Sequence, residues 1–330
     1  MAGPGNLLSP LRRQIKTKDM IKILKNISLK KHTNFKIGGK ARYFVSARAK
    51  NDFSETIAWA KKHKVRYMII GLGTNLLFTE KGFNGLIIKN SWHNIQMDGK
   101  QTVFSSSGTD MSKLVNYYLK NNYSGLEWAG GLPGTIGGAV RGNAGAFLGE
   151  IKDSVVKVES IDYSRAKPRT IIRSNKQCRF YYRDSIFKHN KEIILGVWFK
   201  AKKGDKKEIS KKIKDCRAYR EKFQPLEYPS AGSFFKNIPL KSVATKVKKE
   251  FSLVIKNDPF PLIPAAAVTD KLGLKGTSIG GAQASNKHPN FLINKNNASF
   301  SDIISLSNLI RKKAYQKFKI KMIPEVQIVE

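Results

Sequence analysis

Between Gly130 and Gly149 the chain reads GGLPGTIGGAVRGNAGAFLG, eight glycines in twenty residues. Apolar residues break the run, where a flexible linker would carry serine, proline or glutamine, so the segment is a built loop. Glycine lets the backbone take positive φ and lets a ligand approach main-chain N–H groups closely, which suits a large anionic ligand. Taken alone, the stretch is equally well explained as tight turns between strands. A second glycine turn, Gly71-Leu72-Gly73-Thr74-Asn75, follows a predicted strand over 65–70 and offers another set of amides. Two such loops in one chain point to a dinucleotide.

At 330 residues with 41% hydrophobic side chains, the chain is long enough for roughly two domains and a substantial core. Its 61 Lys plus Arg against 24 Asp plus Glu leave a net charge of +37, which raises a polyanion as a partner. The cations are scattered, however, and the densest run, 200–217, holds no aromatic residue on which a base could stack. That run reads as a solvated connecting helix, and contact with nucleic acid as salt-sensitive and without sequence preference. Cys178 and Cys216 form no C-x-x-C pattern, so neither a disulfide framework nor a zinc site is signalled. The histidines show no i,i+4 pairing, and no metal is expected. No apolar run approaches the ~20 residues of a membrane helix. Arg12, Arg13, Lys16 and Lys18 lack the apolar stretch of a secretory signal. These features predict a soluble cytoplasmic protein, favoured as a monomer, without membrane contact. Residues 1–18 read as disordered, though their shortage of acids leaves room for an organelle-targeting segment.

Hydrophobic periodicity predicts an extended run at 41–45, a helix over 52–63 with Phe53, Ile57 and Ala60 on one face, and strands at 65–70, 85–89 and 101–106. A small α/β unit ending near Asn90 results. A helix over 112–121 leads into the glycine-dense loop, strands return at 155–163 and 193–200, and the basic helix runs to Phe223. Pro225, Pro229 and Gly232 open a third region. It carries helices over 264–272 and 301–318, the second with Ile303, Leu306, Ile310 and Ala314 as its buried stripe, and a terminal strand in MIPEVQIVE.

No stock phosphate motif fits: the turn at Gly71 lacks the third glycine of a Rossmann fingerprint, and no G-K-[ST] closes a Walker loop. Candidate reacting residues lie in three polar runs, 181–185 (YYRDS), 231–237 (AGSFFKN) and 324–326 (PEV). Singly, each has a plainer reading as a surface salt bridge, a strand start or a solvent-facing glutamate. Together with GLGTN and GLPGTIGGAVRGNAGAFLGE, they resemble in order and approximate spacing the UDP-N-acetylenolpyruvoylglucosamine reductases of bacterial cell-wall synthesis. The resemblance spans about 27–330 and includes HTNFKIGG, YYRDSIFK, YPSAGSFFKN, LIPAAAVTDKLGLKG, IGGAQASNKHPNFLIN and PEVQIV.

The resemblance implies an α+β fold: a two-subdomain FAD-binding module of the PCMH/vanillyl-alcohol-oxidase type, followed by an α/β substrate-binding domain. The first subdomain would take 19–90 joined by the C-terminal strand 320–330, the second 91–220, and the substrate domain 221–319. The implied activity is reduction of the enolpyruvyl group of UDP-N-acetylglucosamine enolpyruvate to UDP-N-acetylmuramate, with NADPH as co-substrate and non-covalent FAD as hydride carrier. The family's proton donor falls on Ser233, its active-site arginine on Arg183 and its catalytic glutamate on Glu325. Hydride addition to the methylene leaves negative charge on the adjacent carbon and its carboxylate, which a fixed guanidinium stabilises and a donor within about 3 Å quenches. Glu325 would polarise that carboxylate if burial kept it protonated.

By the same resemblance, Gly71, Gly73, Thr74 and Asn75 would hold the FAD pyrophosphate. Gly134, Thr135, Gly137, Gly138 and Asn143 would supply amides and polar contacts near the flavin, and Asn237, Lys222 and His288 would touch the UDP-sugar. Fifty positions separate Arg183 from Ser233, too few for the insertion that carries a capping tyrosine in the family's longer class, so the chain resembles the shorter one. Two rivals remain: an FAD-dependent oxidase of the same fold, and a basic nucleic-acid-binding protein, which would be colourless.

Overall fold

The computed structural model of the protein describes residues 21–164 and 168–330, so the expectation for 1–18 lies outside the described residues. Strand β1 (Leu24–Ser28) pairs antiparallel with β2 (Lys40–Ala47), and helix α1 (Lys50–Lys62) carries the chain across to β3 (Tyr67–Ile70). After β4 (Leu76–Phe78), β5 (Phe83–Asn90) inserts between β2 and β3, parallel to both, giving the sheet order β1-β2-β5-β3. A parallel strand covered on both faces reads as a continuous apolar run, and Leu86, Ile87 and Ile88 of β5 are all buried. Helix α1 buries Phe53, Thr56, Ile57 and Ala60, the i, i+3, i+4, i+7 stripe of an amphipathic helix. Ile161, Tyr163 and Leu195 of the next sheet share that core.

The second sheet begins with β6 (Ile95–Met97) and β7 (Thr102–Ser106), followed by α2 (Met111–Lys120), β8 (Tyr123–Ser124) and α3 (Ile136–Gly142). A hairpin of β9 (Gly145–Ala146) and β10 (Gly149–Glu150) and the single turn α4 (Ile151–Ser154) come next. β11 (Val155–Asp162), β12 (Arg169–Ser174) and β13 (Glu192–Lys200) complete an antiparallel sheet in the order β12-β11-β13-β7-β6. β14 (Lys202–Lys203) pairs with β8, and α5 (Lys206–Phe223) follows.

Two sequence expectations change here. The glycine-dense stretch is not loop throughout, because α3 forms inside it. Thr135 caps that helix by accepting from Gly138 N, Asn143 ends it in the left-handed region at φ 42°, and Ile136, Ala139 and Val140 are buried. The basic helix α5, for its part, is more than a solvated connector. It buries Ile209, Ile213, Cys216 and Arg220, and a Cβ on Gly130 would lie 2.7 Å from the Ile213 carbonyl oxygen.

The third unit comprises β15 (Ser230–Ser233), β16 (Ile238–Pro239), α6 (Thr245–Glu250), β17 (Leu262–Ile263), α7 (Ala265–Lys271), β18 (Ser278–Ile279), β19 (Ala282–Ala284), β20 (Phe291–Asn294) and α8 (Phe300–Phe318). Its sheet runs β15-β20-β19-β18. Ser299 and Asp302 form a capping box at the start of α8, whose stripe Ile303, Leu306, Ile310 and Ala314 is buried. Strand β21 (Gln327–Val329) then returns to pair in parallel with β4. Only these three residues of the predicted terminal strand are extended in a ladder; Pro324 has no N–H to donate. Phe35, Ile37 and Leu77 of the first unit share a core with Phe234, Phe235 and Ile303 of the third. The fold class is α+β, as the resemblance implies. Among the described residues no helix is long and apolar enough to cross a membrane.

Candidate active site

The units surround a cleft of about 1960 Å³, roughly twice the upper end of an ordinary small-molecule pocket. Its two glycine loops face each other. A Cβ on Gly71 would lie 2.3 Å from Thr135 Oγ1, and one on Gly134, at φ +127°, 3.2 Å from Thr74 Oγ1. Gly73, at φ +69°, meets the His32 carbonyl oxygen where a Cβ would be only 2.0 Å away. Gly137 N donates to Ser107 O at 2.8 Å, which fixes α3 against the end of β7. A side chain at Gly71 would collide with Thr135, and one at Gly73 with the His32 backbone, so larger residues at either position would push the loops apart.

The three polar runs meet at this cleft. Ser233 ends β15 and lines the cleft. The next residue, Phe234, accepts at its carbonyl from Glu325 N at 2.8 Å, and Phe235 and Pro324 form a bridge. Glu325 Oε1 lies 3.1 Å from Arg183 Nε. Arg183 Nη2 in turn donates to Gly145 O at 2.8 Å, and its backbone holds φ 53°, uncommon for a side-chain-bearing residue. Tyr182 Oη accepts from Asn237 N at 3.1 Å, while Asn237 Oδ1 accepts from Ala265 N at the start of α7, also at 3.1 Å. Backbone bridges thus bring residues 183, 233, 237 and 325 into one wall.

Gly71, Gly73, Thr74, Asn75, Gly134, Thr135, Gly137 and Gly138 all line the cleft, as do Asn237 and His288. Some placements differ from expectation. Asn143 does not line it: wholly buried, it donates from Nδ2 to Tyr181 O at 2.9 Å and accepts at Oδ1 from Lys152 N at 3.2 Å, so it braces the loop from behind. Lys222 does not line it either; its Nζ lies over the Phe223 ring on the exposed side of α5. Asn75 Nδ2 donates to Glu325 O at 3.1 Å, tying the glycine turn to the segment that carries Glu325. Glu325 is set in an ion pair with Arg183, its side chain about a quarter exposed (24%), and not in an apolar enclosure. Burial lowers the His288 pKa, so the ring is neutral near pH 7, and its Nδ1 has no hydrogen-bond partner. Sequence reasoning missed Arg220, a cleft-lining residue whose signal was its place on the stripe 209, 213, 216, 220 of α5. It also assigned no role to Lys188, which lines the cleft and donates from Nζ to Arg183 O at 2.5 Å. Burial, then the charges of Lys236 and Arg141, lower the Lys188 pKa.

Residues 41–167 match the FAD binding domain family, and residues 224–329 the C-terminal domain of UDP-N-acetylenolpyruvoylglucosamine reductase. The reductase of that name from Caldanaerobacter subterraneus subsp. tengcongensis is 37% identical over 309 residues, 93% of this chain and 94% of that one. The chain belongs to the UDP-N-acetylenolpyruvoylglucosamine reductase family. A second relative, from Carboxydothermus hydrogenoformans, is 36% identical over 308 residues, again 93% of this chain and 94% of that one. The Thermus caldophilus reductase structure superposes with a TM-score of 0.73 at 24% identity, covering 94% of this chain and 99% of that chain, and so agrees in fold.

This reductase is an FAD-dependent oxidoreductase. The residues present fit that cofactor: two opposed glycine loops, with amides a ligand can approach closely, line one cleft of about 1960 Å³.

Proposed function

We propose that this reductase converts the enolpyruvyl group of UDP-N-acetylglucosamine enolpyruvate to the lactyl ether of UDP-N-acetylmuramate, a peptidoglycan precursor, at the expense of NADPH. FAD, when bound, supplies the hydride transfer between the two substrates. The observation that carries the reading is the convergence of Arg183, Ser233 and Glu325 on one cleft wall. Arg183 presents a guanidinium fixed by Glu325 and Gly145 O, suited to the substrate carboxylate and to the charge that develops beside it. Ser233 Oγ donates the proton to the carbon next to that carboxylate and is reprotonated from solvent. Asn237 and His288 contact the UDP-sugar. The turn at Gly71–Asn75 and the Gly134–Gly138 stretch hold the cofactor. Units 19–90 with 320–330, and 91–220, serve as the FAD module, and 221–319 as the substrate domain; the β4–β21 pairing supports the C-terminal addition.

Neither cysteine lines the cleft, and burial pushes the Cys178 thiol up to about 12, which leaves it unreactive. Purified protein is therefore expected to show oxidised-flavin absorption, to release its FAD on acid precipitation, and to sustain multiple turnovers of NADPH only with the enolpyruvyl substrate. Flavin that stays with the acid-precipitated polypeptide, or consumption of oxygen in place of the enolpyruvyl compound, would count for the oxidase and against this reading.

A further inference from the structure

Helix α5 puts Arg220 on the same buried face as Ile209, Ile213 and Cys216, where the helical repeat calls for an apolar side chain. Arg220 is only 6% exposed and lines the cleft. Its Nε donates to Gly130 O at 3.0 Å, at the head of the glycine-dense segment, and the Phe147 ring centroid lies 5.0 Å from its Cζ. Beyond that one bond the fork is unused: Nη2 is enclosed without a hydrogen-bond partner. No ion pair reaches Arg220 among the described residues. Burial lowers its pKa, opposed only by Cys216, yet a guanidinium does not discharge near neutral pH. A buried cation without a counter-ion is costly and calls for an anion from outside the chain.

The planar fork of an arginine matches the paired oxygens of carboxylates and phosphates. Arg183 already serves the substrate carboxylate, so the anions left for the cleft are the diphosphates of its nucleotides. We propose that Arg220 is a diphosphate-binding residue of the cleft, its guanidinium taking the oxyanions of a nucleoside diphosphate. This rests on reading the cleft as the shared place of FAD and a UDP-sugar, which supply the same chemistry from two sources.

The test uses Arg220→Met and Arg220→Lys. FAD binding to the apoprotein is followed by quenching of flavin fluorescence, with riboflavin as the phosphate-free control. UDP binding to the holoenzyme is followed by calorimetry, with uridine as the control. Arg220→Met is expected to weaken one diphosphate ligand by about tenfold or more, the scale of a lost charge-assisted bond, and to leave its phosphate-free control nearly unchanged. Loss in the FAD arm assigns Arg220 to the cofactor, and loss in the UDP arm to the substrate. Arg220→Lys keeps a point charge without the fork and is expected to fall between wild type and Arg220→Met; if Arg220→Met does not fold, the lysine variant decides by the same arms. Unchanged affinity for both FAD and UDP overturns the proposal, and so does an equal loss for a diphosphate and its control, which marks a packing role. Wild-type protein that shows no enolpyruvyl reduction, with the phosphate-dependent loss still present, would overturn the reaction assigned above and leave this inference standing.

Discussion

Arg183 Nε stands 3.1 Å from Glu325 Oε1, so a turn from the middle of the chain and a segment close to its end share one ion pair at the cleft. Both side chains are partly exposed, 22% and 24%, and a pair so placed contributes at most about 1 kcal/mol to folding. Under the proposed function, the pair serves to orient the guanidinium. Glu325→Gln is therefore expected to shift the thermal midpoint little and to slow turnover by about 10² or more. Scanning calorimetry and steady-state assays measure the two effects; a large loss of stability with full activity would make the pair structural.

Asn237 accepts from the first amide of α7 across 28 positions of sequence, while its own N–H is bound to Tyr182 Oη. Asn237→Ala removes the side-chain acceptor and is expected to cost about 1 kcal/mol of stability, the usual scale of a lost helix cap. It is also expected to raise KM for the UDP-sugar. Urea unfolding beside initial-rate kinetics checks both, and an unchanged unfolding midpoint would contradict the capping role.

Asp302 supplies a pH-dependent element. Hydrogen bonds from the Ser299 and Gly281 amides hold its carboxyl below the ordinary carboxylate range. Because the folded-state pKa is depressed, this stabilisation is full above the unfolded value of about 3.9 and is lost as pH falls through the folded value. Wild type is expected to be more stable than Asp302→Asn near neutral pH, with the gap closing below about pH 4. Thermal melts of both proteins across pH 7 to about 3 test it, and a gap that does not narrow removes the carboxylate from the explanation.

Helices α1 and α8 were legible because Phe53, Ile57 and Ala60, and Ile303, Leu306, Ile310 and Ala314, repeat at helical spacing. The order of the first sheet was not, since strand alternation carries no information about which strand β5 inserts between. Helix α3 was hidden by its glycines; only Thr135 before it and Asn143 after it, both capping types, marked its ends. At the site, chemistry singled out the three polar runs, but their meeting depends on the Phe235–Pro324 bridge, which no local pattern announces. Lys222 and Arg220 show the converse. Both are cations at the end of one basic helix, and only the stripe through Ile209, Ile213 and Cys216 separates the residue that faces the cleft from the one that faces solvent.

The central claim is that Ser233 donates the proton when the enolpyruvyl carbon is reduced, and its test separates the two halves of the reaction. Ser233→Ala leaves the glycine loops, Arg183 and the cofactor's surroundings in place, so reduction of the flavin band by NADPH is expected to proceed at nearly the wild-type rate. Recovery of that band with UDP-N-acetylglucosamine enolpyruvate is expected to slow by about 10² or more, the scale of losing a positioned acid–base group, with substrate affinity little altered. Stopped-flow absorbance follows bleaching and recovery separately. Recovery at the wild-type rate in Ser233→Ala would contradict the account and pass the donor's role to Glu325 or a bound water.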